Sequence, residues 1–423
     1  MTPLRFGFFT TFYPPFNFGG DGIDVQRTAR ALVSRGHRVT VVHDIDAYEW
    51  VGHRRMETPP PQNDGVEVVG LRSRLGFLSP LLTHQFGYPV VHGARMAELV
   101  RERAFDVVVF NNVSLVGGPG LLPFGGSAVR IYVAHEHWLV CPTHVLWRFN
   151  REPCDKRACT RCVLSYGRPL QLWRYTGALE KQLANVDVFI ARSEFSRRAH
   201  EQFGFPRPME VLPYFVPGPL REAAVGQSLR PHERPYFLFV GRLTRLKGLD
   251  SVIEAFRHYT EADLLIIGDG EDDQRLRGLA AGLSNVRFLG RIANEKLDQF
   301  YEHAISALVP SLGFETFGIV LVEAFRYRTP VIARRLGPFP EIVAASNGGL
   351  LFSDTSELLQ AMALMQNDEQ ARKARGASGY ESWRRLWSEE VVMSRFLEIV
   401  DAARAASGRL ASVPLVSADE SGP

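Results

Sequence analysis

The sequence predicts an α/β protein of two Rossmann-like domains facing a central cleft, and three observations lead there. Short apolar runs of strand length alternate with helix-length segments from residue 4 onward, as in a parallel sheet covered by helices. A stretch with four prolines, 213–233, interrupts the alternation, which restarts at Tyr236. The chain has 423 residues, enough for two domains of ordinary size.

Composition narrows the function classes. With 45% hydrophobic and 22% charged residues the chain reads as globular. Its 49 basic and 46 acidic residues leave a charge of +3, too near balance to indicate a nucleic-acid partner. No apolar run reaches eighteen residues, and MTPLRFGFFT lacks the parts of a signal peptide, so a cytoplasmic chain is expected. The four cysteines all fall between 141 and 162, which is no secreted disulfide scaffold at this length.

In the first half, Leu4 to Thr10 reads as a strand. A Tyr13-Pro14-Pro15 turn and the pair Gly19 and Gly20 follow, then a helix from about Asp24 to Arg35 and a strand from Arg38 to His43. The G-x-G-x-x-G fingerprint is absent and the glycines come about nine residues past the strand, so a dehydrogenase is rejected. Adjacent glycines still let backbone approach a diphosphate or sugar closely; a plain tight turn is the alternative. Residues 53–64 read as a loop and Val66 to Leu71 as a strand. The segment Arg72 to Leu82 mixes arginines with apolar residues, which suits a membrane surface, a lipid-linked acceptor, or simply a covered loop. A helix to about Arg103 and strands from Asp106 to Phe110 and Ile131 to Ala134 continue the alternation.

At the carboxyl end of that last strand, where open parallel sheets bind ligands, stands HEHWLVCP, His135 to Pro142. Cys154-x4-Cys159-x2-Cys162, with Cys141 upstream, offers four thiolates at the short spacings of a structural zinc site; free thiols or a disulfide are the alternatives. Arg151, Lys156, Arg157 and Arg161 around them could meet a phosphate-bearing acceptor. A strand from Asn185 to Ala191, a helix from Ser196 to Phe203 and a strand near Val211 lead to the linker.

In the second half, the strand Tyr236 to Val240 runs into Gly241, Arg242 and, five residues on, Lys247: a planar fork and a point charge suited to a diphosphate. Strands follow at Leu264 to Gly268 and Val286 to Leu289, with an acidic run from Asp269 that starts a helix. Residues 308–333, LVPSLGFETFGIVLVEAFRYRTPVIA, read as strand, loop and helix, the helix starting near Gly318. Glu315 lies in the loop and Glu323 in the helix. A carboxylate accepts two hydrogen bonds from a vicinal diol, so one can hold a sugar and the other a ribose, with a diphosphate between them at the helix start. Helices near 355–366 and 380–404 and a small polar tail from about Ala405 complete the chain.

The stretch ETFGIVLVEAF, Glu315 to Phe325, resembles the signature of the family-4 retaining glycosyltransferases, a glutamate followed after seven residues by a second in an F-G-I-V context. The resemblance extends over about residues 4 to 400. It implies the GT-B fold, with an acceptor-side domain over 1–212 that carries the cysteine insert near 141–162, a linker over 213–233 and a nucleotide-sugar domain over 234–380. A helix over 381–404 would cross back onto the first domain, before a disordered tail over 405–423. It further implies donor contacts from Gly19, Gly20, Arg242, Lys247, Glu315, Phe317, Gly318, Ile319, Val320 and Glu323, with the base near Gly290 and Arg291. His135 and Glu315 take the catalytic positions, Glu315 by binding sugar hydroxyls, and Glu136 replaces the family's usual aspartate after the histidine. His137 competes with His135 for that role. Gly337 to Glu341 lacks the second glycine that relatives often carry.

The activity implied is metal-independent transfer of a hexose-type sugar, with retention, from a nucleoside-diphosphate sugar to a hydroxyl of a glycan, lipid-linked sugar or natural product. Peripheral contact with the inner face of a membrane goes with a lipid-linked acceptor. No cofactor is required for catalysis. Asp44-Ile45-Asp46 has the D-x-D form of the other large glycosyltransferase class, but it ends a strand and no further ligands are spaced nearby in sequence, so no metal is expected there. A nucleotide-sugar epimerase of the same architecture and a non-catalytic nucleotide-sugar-binding scaffold are the alternatives.

Overall fold

The computed structural model describes residues 2–53, 55–56, 64–218, 229–293 and 296–408. The first half builds a seven-stranded sheet from β1 (Arg5–Thr10), β2 (Arg38–Asp44), β3 (Glu67–Leu71), β4 (Val107–Phe110), β5 (Val129–Ala134), β8 (Val188–Ala191) and β9 (Met209–Val211). A small hairpin, β6 (Trp147–Arg148) and β7 (Glu152–Pro153), stands apart from it. The second half builds a six-stranded sheet from β10 (Tyr236–Val240), β11 (Asp263–Ile267), β12 (Val286–Gly290), β13 (Ala307–Val309), β14 (Val331–Arg334) and β15 (Gly349–Phe352).

The strand orders are β3-β2-β1-β4-β5-β8-β9 and β12-β11-β10-β13-β14-β15. Every pairing in both sheets is parallel. Helices cover both faces, so central strands are apolar without alternation: β4 is VVVF and wholly buried. In each sheet the order reverses beside the first strand, between β1 and β4 and between β10 and β13. The crevice for a ligand opens there, at the carboxyl ends. This is the two-domain α/β architecture expected from the sequence.

Three local expectations are corrected. The first long helix runs Gly20–Ser34, beginning before Asp24, with Gly19 in extended conformation as its cap. The glycine pair thus forms the helix start, where Asp21 meets the positive end of the dipole. Part of the Arg72 to Leu82 segment is the helix Leu78–Phe86, and Leu75 and Phe77 before it are 49% and 56% exposed, so this is no covered loop. The single helix expected over 380–404 is two, Glu369–Ser382 and Glu389–Ala406, with a wide turn Trp383–Trp387 between them.

That turn has a function in packing. Trp383 donates its indole N–H to the Val216 carbonyl at 2.9 Å, and the Val216 N–H donates to the Trp387 carbonyl at 2.9 Å. The connection between the halves therefore begins with buried chain: Tyr214, Phe215 and Val216 are each below 9% exposed. The last helix lies on the first sheet, where Val392, Met393, Phe396 and Val400 share a core with Phe6, Phe8, Val39 and Ile131. Much of the loop 53–64, the middle of the linker and the tail beyond 408 lie outside the described residues. Among the described residues no helix is long and apolar enough to cross a membrane.

Candidate functional site

Three loops at the carboxyl ends of β10, β11 and β13 form one surface by close backbone packing. Gly248 has φ +67° and Gly268 has φ +144°; a Cβ on the first would run into the Pro310 carbonyl, and on the second into the Gly241 carbonyl. Only glycine lets the backbones meet there. The Leu246 carbonyl accepts the N–H groups of Leu312 and Gly313 at 2.8 and 3.1 Å, which seats the loop before Glu315 on the loop carrying Lys247.

The result brings Lys247 and Glu315 together. Lys247 Nζ lies 2.7 Å from Glu315 Oε1, and the Ser311 hydroxyl donates to the same oxygen at 2.6 Å. Glu323 sits one turn into the helix Ile319–Phe325, capped by Gly318. Arg27, from the opposite half of the molecule, donates to its Oε1 at 3.3 Å, and the Tyr301 hydroxyl donates to its Oε2 at 3.4 Å. Between the two carboxylates lie the first N–H groups of that helix, which have no carbonyl partner within it. The helix is only seven residues long, so these donors, rather than a long dipole, are what it offers an anion.

The remaining expected donor contacts divide. Arg242 is exposed at the rim, with no ion pair among the described residues. Ile319 and Val320 are half-buried on the second core. Phe317 is buried, edge-on to Tyr214 with centroids 5.6 Å apart, so its ring joins the seam between the halves. Gly290 ends β12 at φ +68°, with Arg291 exposed beside it. Across the cleft, space is open above Gly20, where a Cβ would meet nothing within 4 Å.

His135 lies in the seam. Asn111 uses its amide N–H on the Val109 carbonyl, so its oxygen faces His135 Nε2 at 2.9 Å. That assigns the proton to Nε2, leaving Nδ1 to accept from the Tyr214 hydroxyl at 2.9 Å. Burial, with Arg192 nearby, pushes the imidazole well below its ordinary pKa, so the ring is neutral. With both nitrogens engaged, a sugar hydroxyl reaches this ring only by displacing Asn111 or Tyr214. Its backbone carbonyl accepts from the Thr316 hydroxyl at 2.9 Å, while Ser193 donates to the Thr316 carbonyl at 2.6 Å. The signature loop is thus pinned to the first half on both sides of Thr316. His137, the competitor, is buried away from this seam and stacks on His200 at 5.4 Å. Glu136 pairs with His144 at 2.8 Å.

Glu341 closes the seam further along: its carboxylate accepts the N–H groups of Glu194 and Phe195 at 3.1 and 2.9 Å. Arg27, Tyr214, Asn111, Thr316 and Ser311 escaped the sequence reading. Tyr214 alone carried a signal, an aromatic residue at the start of a stretch read as linker.

Asp44, Asp46 and His92 form a compact buried set whose ligand atoms lie within 4.8 Å of one another. The third member, 46 residues beyond Asp46, could not be found from local spacing. Each already has a protein partner: Asp44 caps the helix Ile45–Gly52 through the Ala47 N–H, and Asp46 accepts from the Ser73 N–H and hydroxyl and lies 3.4 Å from His92 Nε2. All four cysteines are free thiols. A cavity of about 510 Å³ is lined by residues such as Arg207, Glu210 and Arg395 and by none of the carboxylate set.

Comparison with known proteins agrees with this fold. Residues 18–217 match the family model "Glycosyltransferase Family 4", and residues 221–382 match "Glycosyl transferases group 1". The chain is 31% identical over 375 residues to a phosphatidyl-myo-inositol mannosyltransferase of Mycobacterium leprae, covering 80% of this chain and 99% of that one. It is also 31% identical over 324 residues to a GDP-mannose-dependent monoacylated alpha-(1-6)-phosphatidylinositol monomannoside mannosyltransferase of Corynebacterium glutamicum, covering 73% of this chain and 79% of that one. Among solved structures, sucrose-phosphate synthase of Thermosynechococcus elongatus superposes with a TM-score of 0.72 at 19% identity, covering 95% of this chain and 100% of that one. HepE of Anabaena in complex with UDP-glucose gives 0.64 at 17% identity, covering 94% of this chain and 100% of that one. At these identities the structural likeness establishes the fold, which is GT-B.

Proposed function

The chain belongs to the glycosyltransferases that these two family models describe, and from that premise we propose that it moves a hexose from a nucleoside-diphosphate sugar to a hydroxyl acceptor with retention of configuration. One observation supports the donor reading above the others. Glu315 and Glu323 flank the free start of the helix Ile319–Phe325, and Lys247 stands 2.7 Å from the first of them.

In this reading the ribose diol hydrogen-bonds Glu323 and the hexose hydroxyls Glu315. Lys247, Arg242 and the N–H groups of residues 318–320 hold the diphosphate. As the glycosidic bond breaks, negative charge grows on the leaving diphosphate, and those donors are already in place to stabilise it. No resident cofactor is needed at that point. The acceptor hydroxyl attacks from the face the diphosphate leaves, and its proton passes to the departing phosphate oxygen. His135, neutral and held by Asn111 and Tyr214, shapes the sugar side of the seam.

Glycans, lipid-linked sugars and natural products all offer such a hydroxyl. The named relatives act on phosphatidylinositol derivatives, and Leu75, Phe77, Phe86 and Tyr88 are about half exposed beside Arg72 and Arg74. Both features favour a lipid-linked acceptor met at the inner face of a membrane.

The test is a transfer assay with UDP- and GDP-hexoses and lipid-linked or glycan acceptors, with and without EDTA, the product anomer read by NMR. Transfer with the donor's configuration supports the reading. An inverted product, or one formed only with added metal, overturns the mechanism; altered donor without acceptor indicates an epimerase; and nucleotide binding with no turnover of any donor indicates a scaffold.

A further inference from the structure

We propose that Cys141, Cys154, Cys159 and Cys162 bind one zinc ion as a structural tetrathiolate centre. The four thiols come from separate pieces of chain that converge. Cys141 follows the His135 segment, Cys154 directly follows the hairpin β6–β7, and Cys159 and Cys162 are the first and fourth residues of the helix Cys159–Ser165. All four line a single cavity of about 20 Å³, room for one water-sized or ion-sized occupant. No other residue type in that lining competes as a zinc ligand.

Polar groups face two of the sulfurs. The Phe149 N–H donates to Cys162 Sγ at 3.3 Å, the Thr143 hydroxyl lies 3.3 Å from Cys141 Sγ, and the Arg148 side chain borders the same cavity. A tetrahedral zinc with Zn–S bonds of about 2.3 Å sets its sulfurs roughly 3.8 Å apart. Among the described residues no three of these sulfurs lie within 4.8 Å of one another, so the ion would draw the cluster inward. Cys154 would give up the bond it now donates to the Lys156 carbonyl at 3.5 Å.

The chain between the first two thiols has a reason to need such a tie. His144, Leu146, Phe149 and Asn150 all have φ between +50° and +75°, a region disfavoured for residues with a side chain. The hairpin they flank has two residues per strand, too few to be stable alone. An ion joined to Cys141 and Cys154 closes this loop at both ends, and Cys159 and Cys162 fasten it to a helix. The loop carries His144 to Glu136, next to His135, so the centre also steadies the acceptor side of the cleft.

The experiment uses the full chain, expressed with added zinc and purified under reducing conditions. Elemental analysis is expected to give about one zinc per chain, falling below about a tenth in the double variant Cys159→Ser, Cys162→Ser. Should that variant fail to fold, the wild type decides: cobalt exchanged into it shows thiolate charge-transfer and tetrahedral d–d bands, and a mercurial releases zinc in step with thiol modification. A zinc-free wild type with four titratable thiols, or with disulfides by non-reducing mass spectrometry, overturns the proposal. So does zinc that survives the double variant and is lost from Asp46→Asn, which would place the ion with Asp44 and His92. None of these readouts depends on sugar transfer.

Discussion

Lys247 and Glu315 touch each other at 2.7 Å, yet the donor reading gives them different partners, the diphosphate and the sugar. Removing each in turn separates the two roles. At an effective dielectric of about 20 their attraction is roughly 6 kcal/mol before desolvation. The side chains are 29% and 24% exposed, which reduces the net contribution to about 1 kcal/mol. A lysine bond to a diphosphate is worth about 1.5–3 kcal/mol, so Lys247→Ala should weaken UDP or GDP binding roughly tenfold to a hundredfold. Glu315→Ala should tighten the bare nucleotide, by up to about fivefold, because it frees Lys247 and removes a negative charge beside the phosphates. The same variant should lose turnover, since the sugar loses its acceptor group. Calorimetry on wild type, both single variants and the double variant, with whichever nucleotide binds wild type more tightly, closes the cycle. The reasoning is refuted by Lys247→Ala binding nucleotide like wild type, or by Glu315→Ala weakening bare nucleotide as much as Lys247→Ala does.

Three further outcomes are expected. Glu323→Ala should weaken nucleotide binding by at least about tenfold, and a 2′,3′-dideoxy nucleotide should bind the variant no worse than the ribose form does; a further loss would place the ribose elsewhere. Tyr214→Phe leaves His135 Nδ1 without its donor and should lower stability by about 1–2 kcal/mol, with turnover falling more than nucleotide affinity; unchanged turnover and melting temperature would remove Tyr214 from the site. Burial raises the Asp44 pKa to about 7 from 3.8, so the folded chain holds a proton there that the unfolded chain has released. Its contribution is therefore fully present below about pH 4 and lost as pH rises through 7. Melting temperature should fall between pH 5 and 8, and Asp44→Asn, which keeps the helix cap, should flatten that fall; an equal slope in both proteins would show that another group titrates.

Legible in the residues alone were the repeated strand-helix alternation, the break between two sheets, and the basic and acidic side chains of the loops around Lys247 and Glu315. Those features are local: periodicity, glycine placement, and the eight-residue step from Glu315 to Glu323 are complete within a few turns of chain. Helix ends were less legible, because Gly19 and Gly20 disfavour a helix by propensity yet are tolerated at its first turn. Which side chains meet from afar is set by packing and leaves no local trace. Arg27 and Glu323 are 296 positions apart, Asn111 and His135 are 24, and His135 and Tyr214 are 79. No periodicity spans such separations. Folding two parallel sheets with their carboxyl ends toward one seam creates those contacts, and with them a histidine held neutral and a signature loop pinned from both sides.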